Sequence, residues 1–199
     1  MKKGGLYLAI GDSITWTIPS ETNPNGGNLY ASRVRNAIQT TYGTPVKHIN
    51  KGIGGSVAAG VVINLPWCSR LVPDLVTIGL GMNDCAGGST TTASYKADLE
   101  KVIDKLRVQN PDVHIILCTP SQTSDANRTP YIQSFRDAMI EVATSKNTGL
   151  ARFDLAYTSG EVSTYCPDGV HPNSAGHGKL FDVLWPEVQK GKWLPSLGR

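Results

Sequence analysis

Ser13 lies in Gly11-Asp12-Ser13-Ile14-Thr15, directly after the apolar run Leu6 to Ile10, and His171 lies far along the chain in Asp168-Gly169-Val170-His171-Pro172. A hydroxyl, an imidazole base and a carboxylate that orients the base are the parts that acyl transfer needs. Among the four histidines, His48 precedes the second strand, His114 lies at the start of the fourth, and His177 falls inside a helical pattern where packing or surface exposure is its plainer role. His171 sits in a loop flanked by glycine and proline. Asp168 precedes it by three residues, a spacing that lets one tight turn bring the carboxylate to Nδ1 and leave Nε2 to take a serine proton. Taken alone, Ser13 is better read as a turn residue capping a helix, and Asp168 to His171 as a loop with an aspartate turn. What decides between these readings is whether the fold brings the two segments to one place.

The elements that must do so alternate along the chain. Apolar runs at Leu6 to Ile10, Val46 to Asn50, Leu75 to Leu80, Val113 to Cys118 and, more weakly, Leu150 to Asp154 read as strands. The third and fourth are apolar on both faces, as parallel strands covered on each side are. Between them, Tyr30, Val34, Ala37, Ile38 and Thr41 keep a helical spacing that stops at Gly43, and Tyr95, Leu99, Val102, Ile103 and Leu106 keep another. Thr129-Pro130 reads as an N-cap followed by proline at the first helical position, ahead of Phe135, Met139 and Val142. A last helix is expected from about Asn173, carrying Leu180, Val183, Leu184 and Val188. The alternation predicts an α/β fold: a three-layer α/β/α sandwich around a doubly wound, five-stranded parallel sheet in the flavodoxin-like order 2-1-3-4-5, forming a single domain over residues 1–199. Ligands of such sheets bind at the carboxyl ends of the strands.

Four polar clusters fall there. Besides the two above, Asn50-Lys51-Gly52-Ile53-Gly54-Gly55-Ser56 follows the second strand and Gly81-Met82-Asn83-Asp84 the third. With all four in this order, each after its strand, the chain resembles the SGNH (GDSL-type) hydrolases, a family of serine esterases and lipases, over nearly its whole length. The resemblance implies Ser13 as nucleophile, His171 as base and Asp168 as the orienting residue of a catalytic triad. It implies an oxyanion hole made by the backbone N–H groups of Ser13 and Gly55 and the side-chain amide of Asn83. The residues agree on their own account. A turn after the first strand exposes the serine hydroxyl beside its own N–H, and glycines after the second strand let backbone approach a substrate closely. One departure stands out: many family members have a glycine shortly after GDSIT, where this chain has Trp16-Thr17-Ile18-Pro19. That bears on specificity and not on reaction type.

Other chemistries fit less well. Asp12 and Asp84 read as structural carboxylates that pin loops or cap helices, which leaves little room for a carboxylate-pair glycosidase. The glycines after the second strand begin GxGxxG but end it on Val57, and they do not follow the first strand, so a dinucleotide site is not expected. The four cysteines include no CxxC pair, so no metal site and no cofactor is expected. Cys85 and Cys166 lie close to two of the motifs; a disulfide between them is one reading and buried free thiols the plainer one. The 19 basic residues, for a net charge of +3, form no run or stripe, which gives a nucleic-acid partner no support. No stretch approaches the length of a membrane span. The run after Met1-Lys2-Lys3 is too short for a signal core, so the expectation is a cytosolic protein, or a mature or excised domain.

Substrate is less legible. The rim segments expected at Trp16 to Gly27 and Thr119 to Arg128 are polar, with Trp16 as an aromatic exception, and Trp67 is a further rim candidate. That character suits a short-acyl, acetyl, carbohydrate ester. A lysophospholipase or thioesterase acting on longer acyl chains is the alternative within the class. A catalytically silent carbohydrate-binding module is the alternative outside it.

Overall fold

The computed structural model describes residues 5–16, 28–43 and 45–191, without the side chains of residues 67–69. The expectations for residues 17–27, for Trp67 and for the side chain of Cys68 lie outside the described residues. Five strands, β1 (Leu6–Gly11), β2 (Lys47–Gly52), β3 (Leu75–Gly79), β4 (His114–Cys118) and β5 (Gly149–Ala151), form one sheet in the order β2-β1-β3-β4-β5. Every neighbouring pair is parallel. This is the doubly wound order expected from the alternation of runs.

Among the described residues, six helices complete the layers: α1 (Tyr30–Tyr42), α2 (Ala58–Asn64), α3 (Thr92–Gln109), α4 (Ile132–Ser145), α5 (Val162–Tyr165) and α6 (Ser174–Gln189). α1 packs with α6, while α2, α3 and α4 pack in series. Right-handed crossovers place the two groups on opposite faces of the sheet. The central strands β1, β3 and β4 are buried at nearly every position because both faces are covered. β2 lies at the edge, where Lys47 and Lys51 reach solvent. The five apolar positions read from α3 are all buried, each contributing roughly 1.5–3 kcal/mol of transfer free energy as an upper figure. α1 ends at Gly43, whose N–H donates to the Gln39 carbonyl at 3.0 Å.

Three boundaries differ from the sequence reading. α4 begins at Ile132, past Thr129-Pro130. Those residues belong to a preceding turn, in which the Asp125 carbonyl accepts from both the N–H and the hydroxyl of Thr129. β5 stops at Ala151 because a 3₁₀ turn, Phe153–Leu155, follows almost at once. There the Asp154 carboxylate takes the Thr119 hydroxyl at 2.6 Å and the Arg152 guanidinium at 2.6 and 2.8 Å. His48 lies within β2 and stacks on Tyr7.

Candidate active site

The parallel register aligns Gly52, Gly11, Gly79, Cys118 and Ala151 in one row across the sheet. All five strands end at this row; the clusters at Asp12, Ile53 and Leu80 begin just beyond it, and the Asp168–His171 loop follows α5 further along the chain. Chain order is thereby converted into proximity.

The turn that carries Ser13 is held from every side. Asp12 donates its N–H to the Gly79 carbonyl at 3.2 Å, and its own carbonyl accepts from Thr15 and Trp16. Its carboxylate Oδ1 accepts the Ile14 N–H at 2.9 Å. Asn50 donates from Nδ2 to the Thr15 carbonyl at 2.6 Å and accepts the Gly52 N–H at 2.9 Å, which ties the turn to β2. Gly52 is required at its place: a Cβ there would lie 2.5 Å from the Trp16 nitrogen and 2.7 Å from the Thr15 carbonyl carbon. Asp84 pins the neighbouring loop in the same manner. It accepts the Gly81 N–H at 3.1 Å and, from outside the helix, the Ala58 N–H that opens α2 at 2.8 Å. Burial raises both carboxyls. Asp12 is lifted to about 7, with the negative charge of Asp84 adding to the rise and the Ile14 N–H opposing it.

Ser13, His171 and Asp168 come together at the carboxyl edge. Ser13 Oγ is 2.9 Å from His171 Nε2, and His171 Nδ1 is 2.6 Å from Asp168 Oδ2. Asp168 Oδ1 accepts the backbone N–H groups of Val170 and His171 at 2.9 and 2.7 Å. Partial burial pulls the Asp168 carboxyl up. The His171 N–H and ring, with the Val170 N–H, outweigh that and hold it below the usual carboxylate range, so it stays ionised beside the ring. The loop is fastened at Gly169, whose carbonyl accepts from Ser124 N at 3.0 Å and Thr123 Oγ1 at 2.7 Å. A hydroxyl linked in this way can pass its proton to Nε2 while the ionised carboxylate steadies the charged ring.

The candidate oxyanion donors sit in the turns after β1, β2 and β3. Among the described residues, the N–H groups of Ser13 and Gly55 meet no backbone acceptor. Gly55 has φ +74°, a conformation that favours glycine, and a Cβ placed there would meet no atom within 4 Å. Asn83 donates from Nδ2 to the Ser56 carbonyl at 3.1 Å, which sets the amide beside Gly55. Direct contacts thus join Ser13, His171 and Asp168, and the segments carrying Gly55 and Asn83 are tied to each other at Ser56.

Three comparisons bear on what this arrangement belongs to. Residues 9–179 match the model of the GDSL-like lipase/acylhydrolase family. This chain belongs to that family. Esterase TesA of Pseudomonas aeruginosa is 27% identical over 183 residues, covering 92% of this chain and 87% of TesA. The human isoamyl acetate-hydrolyzing esterase 1 homolog is 28% identical over 169 residues, covering 71% of this chain and 68% of its own. In fold, the chain is similar to the crystal structure of TesA, with TM-score 0.78 at 24% identity over 93% and 98% of the two chains. It is also similar to the acetylxylan esterase Axe2 of Geobacillus stearothermophilus, with TM-score 0.74 at 24% identity over 97% and 98%. As a member of the GDSL-like family with named esterase relatives, the protein is a carboxylic ester hydrolase.

In this GDSL-like hydrolase the remaining sequence candidates fall outside the edge constellation. Cys85 and Cys166 are buried free thiols, the first donating to the Met82 carbonyl and the second paired with the Tyr157 hydroxyl. Burial pushes the Cys85 thiol up to about 11. His177 is buried in α6, where burial, with the charges of Arg33 and His171, holds it down near 4, and its neutral ring accepts the Tyr30 N–H. Among the described residues no group of three His, Cys, Asp or Glu side chains could hold a metal ion, and no helix is long and apolar enough to cross a membrane. One residue of the site was not reached from sequence. Arg128 closes the irregular stretch after β4, and its guanidinium touches Asn83. The stretch was legible as a rim loop, but nothing in its composition announced the contact.

Proposed function

We propose that this hydrolase, as one domain over residues 1–199, cleaves esters through an acyl-enzyme on Ser13. His171 takes the proton from Oγ as the new Oγ–carbon bond forms, and gives it to the alcohol oxygen as the ester C–O bond breaks. A water then repeats the exchange, releasing the acid and restoring the serine. Asp168 keeps the proton of the neutral ring on Nδ1. The N–H groups of Ser13 and Gly55 and the Asn83 amide receive the negative oxygen of the tetrahedral intermediate. The single observation that carries this reading is the continuous chain from Ser13 Oγ through the His171 ring to Asp168, at 2.9 and 2.6 Å.

For substrate we favour short-acyl, above all acetyl, esters of carbohydrates. The polar residues 119–128, the exposed Trp16 ring next to the nucleophile's turn and the fold likeness to an acetylxylan esterase support this. The family's description as lipase/acylhydrolase leaves a second reading, a lysophospholipase or thioesterase acting on longer acyl chains.

Hydrolysis of p-nitrophenyl esters from acetate to octanoate, by the protein and by Ser13→Ala, separates these readings. The expected result is fast acetate turnover, lost by about 10⁴-fold or more in the variant. A preference for octanoate keeps the mechanism and moves the substrate to longer chains. Failure of a fluorophosphonate to label Ser13, together with no turnover, overturns the reading in favour of a silent binding module.

A further inference from the structure

The Asn83 amide has two ways to sit, and its surroundings permit one. Its Oδ1 is approached by Arg128 Nη2 at 3.3 Å, and its Nδ2 donates to the Ser56 carbonyl. Rotating the amide by half a turn would set oxygen against oxygen at Ser56 and nitrogen donor against guanidinium at Arg128, two repulsive contacts in place of two attractive ones. The guanidinium is itself fixed. Nε donates to the Met82 carbonyl at 3.0 Å, and Nη1 lies 3.0 Å from Asp125 Oδ1, with the side chain only 19% exposed. Asp125 is held in turn by the Asn127 N–H and by the turn that precedes α4.

We infer that Arg128 is a positioning residue of the active site: its guanidinium locks and polarises the Asn83 amide so that an Nδ2 proton is presented to the developing oxyanion. The inference rests on the proposed role of Asn83. A cation at Oδ1 draws electron density through the amide and strengthens its N–H as a donor, so part of the Arg128 charge reaches the reaction centre without direct contact. The planar fork matters because three acceptors are met in one plane's reach, which an ammonium cannot match. The same loop also holds the Gly169 carbonyl through Thr123 and Ser124. It therefore braces the base and the oxyanion amide from one piece of chain.

The test is the set Asn83→Ala, Arg128→Ala, Arg128→Lys and the Asn83→Ala/Arg128→Ala double variant, with kcat and KM for p-nitrophenyl acetate. Asn83→Ala should lower kcat by about 10²-fold. Arg128→Ala should lower kcat by about 10-fold or more with KM little changed, since the Asn83 donor that it positions meets the oxyanion only in the transition state. In the Asn83→Ala background, the further loss from Arg128→Ala should be within about twofold. Millimolar guanidinium chloride should restore part of the Arg128→Ala rate. A loss from Arg128→Ala that is equally large with and without Asn83, or no loss at all, overturns the inference. If Arg128→Ala does not fold, Arg128→Lys carries the same comparison in both backgrounds. Normal turnover by Asn83→Ala would instead remove the oxyanion role itself, and the inference with it.

Discussion

Asp168 holds His171 twice: Oδ2 lies 2.6 Å from ring Nδ1, and Oδ1 accepts the backbone N–H of the same histidine at 2.7 Å. One carboxylate therefore fixes both where the histidine sits and which way its ring faces. The two residues are only three apart, so their pairing is local, while the loop that carries both is fastened at Gly169 by Thr123 and Ser124.

Asp168→Asn separates the two duties. The amide oxygen can still accept the backbone N–H groups, but the NH₂ then faces Nδ1 and favours the tautomer that cannot take the serine proton. The expected outcome is a fall in kcat of about 10²- to 10⁴-fold on p-nitrophenyl acetate with thermal stability nearly unchanged. A variant that keeps more than about half the activity would show that His171 is oriented by other contacts.

Asp12 makes stability depend on pH. Its carboxyl titrates at about 7 in the fold against 3.8 for the free group, because it is buried. Between those values the native state keeps a proton that the unfolded chain has released, so stability falls as pH rises through this range and levels off above it. Asp12→Asn, neutral throughout and still able to accept the Ile14 N–H, should remove that slope. Relative to the wild type, the variant should gain on the order of 4 kcal/mol in going from about pH 4 to about pH 8, read by urea denaturation. Parallel stability profiles for the two proteins would show that Asp12 is ionised in the fold at neutral pH.

Gly52→Ala tests the packing under the nucleophile. The added carbon meets backbone atoms of Thr15 and Trp16, which can yield only by moving the Ser13 turn. The cost should be about 1–3 kcal/mol of stability. The rate should fall by about 10-fold or more as Ser13 Oγ leaves its place beside Nε2. Calorimetry and ester turnover on the same sample read both.

Much of this was legible in the chain, and the reasons are physical. Leu75 to Leu80 and Val113 to Cys118 announce covered parallel strands because such strands have no solvent face to encode. Tyr95, Leu99, Val102, Ile103 and Leu106 announce α3 because one face of a helix meets the sheet. Ser13, Gly55 and Asn83 could be placed at one edge because strand order and direction force it, whereas Asp168 and His171 come after α5 and were read from their spacing. What escaped has no local signal. α2 is only seven residues long and is capped by Asp84 from another loop, so its start is written elsewhere in the chain. The start of α4 moved because Asp125 claims Thr129 for a turn, a competition that capping preferences at Thr129 alone do not express. Arg128 and Asn83 are 45 positions apart, and their contact depends on how two loops lean together.

The Ser13–His171 hydrogen bond spans 158 positions. During synthesis the proposed nucleophile leaves the ribosome 158 positions ahead of its proposed base. A nascent chain halted before Asp168 carries a serine with nothing to activate it, and so does any proteolytic product that has lost the final loop and α6. On the proposed mechanism, ester cleavage by this protein reports that the chain has been made at least as far as His171 and closed upon itself.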